Sequence, residues 1–376
     1  MKENSNLKLY TLGEIEHLKV HGRTTGKLSP LTLFWTGSGL ELNVKCSELW
    51  IEVEVGYDMY EPWISTLINS VPVSRQMLLA GRYWLCVFRG MNGNVIKNVR
   101  VLKELQAMSD DPGCYLQIHA IKCDGEFSPV EEKPYKIEFI GDSISSGEGA
   151  IGAKSEEDWI PMWFSAITNY CTMTAEALNA EYRVISQSGW GVLSSWDNNP
   201  HRNIPQYYEF VCGVLNGEKN KALGALEKND FTTWQPDFIV VNLGTNDGGA
   251  FYSPAWKDEI TGEIFQQRLK EDGSLDEEDL SSFIEAVKNF LFKLRKYNEN
   301  AEIIWAYGML GDLMSPAIKE AIHLYKKNTG DRKVTFLQLP NTTEETVGAR
   351  SHPGALSHEM AAKVLVEFIK NLILIR

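Results

Sequence analysis

Ile137-Glu-Phe-Ile-Gly-Asp-Ser143 decides how this chain is read. A short apolar run, Ile137 to Ile140, is cut by Gly141-Asp142-Ser143, residues that turn a strand and open a helix. A serine at that junction exposes its hydroxyl, and the helix start beside it presents backbone N–H groups. Ser143 is therefore the candidate nucleophile.

Working outward, the chain after residue 135 alternates between strand and helix. Strand candidates are 136–140, 182–186, 237–243, 302–307 and 333–337. The clearest helix, 279–297, places Leu280, Phe283, Ile284, Val287, Phe290, Leu291 and Leu294 on one face. The last helix, from about 355, is expected to bury Met360, Val364, Leu365, Phe368 and Leu372. This alternation implies an α/β domain with a mostly parallel sheet flanked by helices, and ligands bind such sheets beyond the carboxyl ends of the strands.

Before residue 124 the pattern is different. Short runs rich in β-branched and aromatic residues at 31–35, 40–44, 49–55, 63–68, 83–88 and 115–121 are separated by Gly, Asp and Pro clusters. They predict an N-terminal antiparallel β-sandwich, jelly-roll-like. The polar stretch 124–134 carries Pro129 and Pro134 and is expected to connect the two parts, giving a β-domain over 1–130 and an α/β domain over 131–376.

With 37 basic and 50 acidic residues, a formal charge of −13, the chain is expected to bind neither nucleic acid nor an anionic membrane. No run approaches the roughly 18–20 apolar residues of a membrane span. Six cysteines without a Cys-x-x-Cys pair are expected to be free buried thiols, and the polar N-terminus predicts a cytoplasmic protein. Oligomeric state is not encoded legibly.

Three further polar blocks fall where the strands should end: Ser186-Gln-Ser-Gly189-Trp190-Gly191, Gly244-Thr-Asn246-Asp247-Gly-Gly249, and Ser351-His352-Pro-Gly354. Acyl transfer needs a nucleophile, a base and donors for the developing oxyanion. His352, on a loop, is the candidate base. Gly189 can offer an unobstructed N–H and Asn246 an amide, which with the N–H of Ser143 make three donors. Asp142 and Asp247 are expected to hold turns. His358 falls inside the last helix and is expected to be packed. Its spacing from His352 suits no metal pair, and neither metal nor cofactor is expected. Trp190, between two glycines, and Trp305, at the end of a strand, are the tryptophans expected to line the site.

Gly-Asp-Ser at 141–143, Gly189, Gly-x-Asn-Asp at 244–247 and His-Pro at 352–353 resemble the SGNH (GDSL-type) hydrolases, whose four named residues map onto Ser143, Gly189, Asn246 and His352. The resemblance runs from about Ile137 to the C-terminus. With a β-domain in front, the chain looks like carbohydrate esterase family 2. That resemblance implies an O-acetyl esterase acting on acetylated hemicellulose oligosaccharides such as mannan, glucomannan or xylan. SGNH enzymes place an aspartate three residues before the histidine, and family 2 members often two before. Here those positions are Ala349 and Arg350, and the nearest acid on that side is Glu345. The resemblance to family 2 members that hold the histidine Nδ1–H on a main-chain carbonyl implies a Ser143–His352 dyad. An acid from elsewhere in the fold is the alternative. Two rival functions stand beside this one: an esterase or thioesterase for other small or lipid acyl esters, and a non-catalytic carbohydrate-binding protein.

Overall fold

The computed structural model describes residues 6–375. These pack as two units. The first comprises the described residues up to Lys133 together with Ile160–Ile167 and Glu209–Asn229. The second comprises Pro134–Trp159, Thr168–Tyr208 and the described residues from Asp230 onward.

The first unit holds two antiparallel sheets. One runs Lys8–Thr11, Tyr115–Cys123, Glu48–Gly56, Gly81–Arg89, with Leu31–Thr32 also on Tyr115–Cys123. The other runs Glu126–Ser128, Gly39–Lys45, Lys97–Lys103, Trp63–Ile68, Val71–Met77, with Lys19–His21 also on Gly39–Lys45. Leu40, Leu42 and Val44 of one sheet share a core with Leu49, Ile51 and Val53 of the other. Alternation along Glu48–Gly56 puts every second side chain inside, as a sandwich with one wet face requires. The stretch expected to be only a connection begins as structure. Glu126–Ser128 pairs with Asn43 to Lys45, and Asp124 accepts from the backbone N–H groups of Ser47 and Glu48. Five cysteines are buried, whereas Cys86 is exposed because the outward phase of its strand carries it to the surface.

The second unit is built on five parallel strands: β1 (Tyr135–Gly141), β2 (Ala180–Ser186), β3 (Phe238–Asn242), β4 (Glu302–Tyr307) and β5 (Val334–Gln338), in the order β2-β1-β3-β4-β5. All five residues of β3 are buried, as a strand covered on both faces must be. Helices follow the strands: α1 (Ser143–Ser146), α2 (Tyr170–Ala177), α3 (Thr245–Ala250), α4 (Glu277–Tyr297), α5 (Ser315–Thr329) and α6 (Ala355–Ile375). Helix α4 opens on Asp276, whose carboxylate accepts from the N–H groups of Glu278 and Asp279, and it buries Phe283, Val287, Phe290, Leu291 and Leu294. Among the described residues no helix is long and apolar enough to cross a membrane.

Helix α6 keeps most of its expected phase: Leu365 is buried and Val364, Phe368 and Leu372 pack against the core. Ala361, Ala362, Leu365 and Ile369 are buried in the core that also holds Cys171 and Ala175 of α2, while Met360 is exposed. Small residues let helices approach closely, so the alanines rather than the methionine define the buried stripe.

Strand β1 leads into the turn that bears Ser143, and its Phe139 is fully buried, edge-on to Tyr170 at 5.8 Å between centroids. Phe139→Ala should lower the unfolding free energy by about 3–5 kcal/mol, read from denaturant midpoints.

Candidate active site

The register of the parallel sheet brings the polar blocks together. Gly141 pairs with Ser186 on one side and Asn242 on the other, so the segments leaving β1, β2 and β3 emerge at the same level. Ser143 is the first residue of α1. Asp142 caps it, its carboxylate accepting from the N–H of Ile144 at 3.0 Å, and Gly147 closes the helix in the left-handed conformation.

His352 stands on the loop before α6. Its Nε2 lies 3.0 Å from Ser143 Oγ, and its Nδ1 lies 2.7 Å from the carbonyl oxygen of Arg350. Donation from Nδ1–H to that carbonyl leaves Nε2 as the acceptor for the serine hydroxyl. Aiming the carbonyl this way puts Arg350 at φ 59° and Ser351 at φ 54°, a left-handed pair without glycine. Two glycines allow the loop to reach the serine segment. A Cβ on Gly149 would lie 2.3 Å from the Ala349 carbonyl oxygen and 2.6 Å from His352 Cβ, and one on Gly348 would lie 2.0 Å from the Gly149 carbonyl oxygen.

Gly189 lies at φ 79° in the loop after β2, and its carbonyl accepts from the N–H of Trp196 at 3.0 Å. That loop is gripped by Asp247. Its buried carboxylate accepts from the N–H groups of Val192, Leu193 and Ser194 at 2.8–3.3 Å. Asn246 beside it donates its side-chain amide to Asp142 at 3.2 Å and to the Trp190 carbonyl at 3.1 Å. Both amide hydrogens are thus engaged. Asp142 and Asp247 hold turns, as their positions in the sequence suggest.

His358 is fully buried, accepts from the N–H of Tyr170 at 3.2 Å and stacks on that ring. Burial pushes it down to about 3, so it stays neutral beside His352.

The tryptophan expectation needs correcting. Trp305 is 0% exposed, donates its indole N–H to the Leu243 carbonyl at 3.0 Å and meets Phe290 edge-on. A strand end marks nearness to the site but not the side on which a ring lies, and this ring lies in the core. Trp190 is 5% exposed and packed on Tyr207, leaving little ring face for a sugar. Trp196 is the tryptophan left open: it is 56% exposed, and its ring lies 3.0 Å from where a Cβ on Gly189 would stand.

The profile of the GDSL-like lipase/acylhydrolase family matches residues 137–365, which contain Ser143, Gly189, Asn246 and His352. The chain belongs to the GDSL-like lipase/acylhydrolase family. Within this GDSL-like family it is similar to a solved acetyl xylan esterase from the rumen bacterium Butyrivibrio proteoclasticus: 48% identity, 98% of this chain and 99% of that one covered, TM-score 0.97. A solved family two carbohydrate esterase from Clostridium thermocellum shares the fold at TM-score 0.78 and 23% identity, covering 95% and 99% of the two chains. Two curated relatives are the cellulase/esterase CelE of Acetivibrio thermocellus, 26% identical over 90% of this chain, and an acetylxylan esterase / glucomannan deacetylase of Cellvibrio japonicus, 28% identical over 65% of it. The chain spans 37% and 64% of the lengths of those two relatives.

Burial raises Asp142 to about 7, helped by the charges of Asp247 and Glu148, and raises Asp247 to about 6. A carboxyl raised in the folded state binds its proton more tightly there, so its contribution to stability is complete below the unfolded value of about 3.9 and is lost as pH rises through the folded one. Asp142 and Asp247 should therefore each pull stability down as pH rises from about 4 to their folded values, against the opposite pull of His358, and Asp142→Asn should remove the Asp142 part of that dependence in a pH series of melting curves.

Proposed function

We propose that this protein is a carbohydrate O-acetyl esterase that removes acetyl groups from acetylated hemicellulose oligosaccharides through a Ser143–His352 dyad. The observation that carries the reading is the chain of contacts from Ser143 Oγ to His352 Nε2 at 3.0 Å and from His352 Nδ1 to the Arg350 carbonyl at 2.7 Å. Similarity to an acetyl xylan esterase over nearly the whole chain supports the acetyl and carbohydrate parts of it.

In this mechanism His352 Nε2 takes the proton of Ser143 as Oγ attacks the acetyl carbonyl. Negative charge develops on the carbonyl oxygen, where the N–H groups of Ser143 and Gly189 and the amide of Asn246 receive it. Nε2–H then protonates the departing sugar oxygen, which leaves as the free hydroxyl. Water, deprotonated by the same nitrogen, hydrolyses the acyl-serine to acetate and restores Ser143. The Arg350 carbonyl keeps the imidazole in its tautomer and orientation throughout. Trp196, exposed beside Gly189, provides an apolar face on which a pyranose ring can stack while its acetyl group points at Ser143. We place this activity in the cytoplasm on imported oligomers, a setting in which an exposed thiol such as Cys86 persists.

Acetate release from acetylated xylan and glucomannan oligosaccharides tests the proposal. Ser143→Ala and His352→Ala should each lower kcat by at least about a thousandfold. Release unchanged by Ser143→Ala would refute the dyad. A strong preference for long acyl chains would favour a lipid esterase. Trp196→Ala should raise KM for acetylated oligosaccharides by about tenfold and leave turnover of a small acetate ester unchanged, the split that ring stacking at about 1.4 kcal/mol predicts.

A further inference from the structure

His352 meets a neutral carbonyl on its Nδ1 side, but a carboxylate stands on the other. Glu148 is buried, with Oε1 3.8 Å from His352 Nε2 and 3.3 Å from Arg350 Nε. Its backbone N–H donates to the Ser143 carbonyl at 3.0 Å, so the turn that ends α1 positions Glu148 and the nucleophile together.

Arg350 is the second element. Its backbone is left-handed, at φ 59°, a conformation unfavourable for a residue with a Cβ. Three bonds hold it there: its N–H to the Glu156 carbonyl at 2.6 Å, its Nη1 to the Glu157 carbonyl at 2.9 Å, and its Nε to Glu148. Only the last is a charge pair with a buried partner, and a buried carboxylate is retained only where cations or donors answer it.

We propose that Glu148 is the acidic member of this site, a positioning residue that holds Arg350 so that its carbonyl faces Nδ1 and sets a negative charge beside Nε2. The proposal rests on the acyl-transfer reading above and deepens it. The carbonyl fixes the imidazole but carries no full charge, and Glu148 supplies that charge from the opposite edge of the ring. Arg350 Nε pairs with the same Oε1 that faces Nε2, so the ring and the guanidinium share one carboxylate oxygen, His358 is neutral, and Asp142 is occupied by Ile144 and Asn246. The attraction of Glu148 for the ring is strongest once Nε2 has taken the serine proton, that is, in the transition states of acylation and deacylation. It therefore acts on turnover rather than on substrate affinity.

Steady-state hydrolysis of para-nitrophenyl acetate by the full chain tests this, with Tm measured for every variant. Glu148→Gln keeps the size and an acceptor for Arg350 but removes the charge. It should lower kcat by about ten- to a hundredfold with KM within about twofold of wild type. Glu148→Asp, which keeps the charge, should recover at least about threefold of that loss. Wild-type kcat in Glu148→Gln overturns the proposal, as does equal impairment of the two variants, which would mean that shape rather than charge matters. If Glu148→Gln does not fold, Glu148→Asp decides. A kcat within about tenfold of wild type supports the proposal, and a loss equal to that of His352→Ala overturns it. An inactive wild type, or Ser143→Ala matching wild type, removes the acyl-transfer reading instead and is seen separately.

Discussion

The hydrogen bond from His352 Nδ1 to the carbonyl of Arg350 is the constraint around which the second unit arranges its polar groups. An imidazole can serve as a base toward Ser143 only if its other nitrogen keeps its proton, and the carbonyl enforces that tautomer. To present the carbonyl, the chain must take two consecutive left-handed steps at Arg350 and Ser351. Those steps depend on the bonds to Glu148, Glu156 and Glu157 and on the side-chain-free approach at Gly149 and Gly348. The parallel sheet contributes by delivering the ends of β1, β2 and β3 to one level.

The loops at those ends are ordered by polar atoms rather than by apolar packing. Asp247 holds three successive N–H groups of the Gly189 loop, and Asn246 bridges Asp142 and Trp190. Burying carboxylates is costly unless donors meet them, and here the donors are the backbone of the loop being held. Position and electrostatics are therefore one problem: a loop that moves leaves a buried charge unanswered.

The strands most apolar in sequence, β3 and β4, were legible because both faces of each are covered. The meeting of the four polar blocks was legible because each follows a strand or precedes a helix at the same end of the sheet. Lys97–Lys103 was hidden by its charges. Lys97 and Lys103 are buried and donate to backbone carbonyls, among them those of Cys46 and Phe34, so polar letters stand where a core strand runs. Val71–Met77 was hidden for the opposite reason, being an exposed edge strand that contains Pro72. Segments Ile160–Ile167 and Glu209–Asn229 pack with the first unit through tertiary bonds such as Ala166 N–H to Glu104 and the Trp35 indole to the Val211 carbonyl, which no local pattern encodes. Glu148 lay in plain view five residues after Ser143, but only the fold brings it to His352 and Arg350.

The group that steadies the histidine belongs to the main chain, and that alters what genetics can see. Replacing Arg350 by another amino acid removes its bonds to Glu148 and Glu157 but not the carbonyl itself, so a scan of side-chain deletions reaches that oxygen only through the conformation of residues 350 and 351. Its evolutionary record would likewise lie not in an invariant acid two or three places before the histidine but in whatever keeps residues 350 and 351 folded backwards. Selection acting on a backbone oxygen leaves its trace in neighbouring letters.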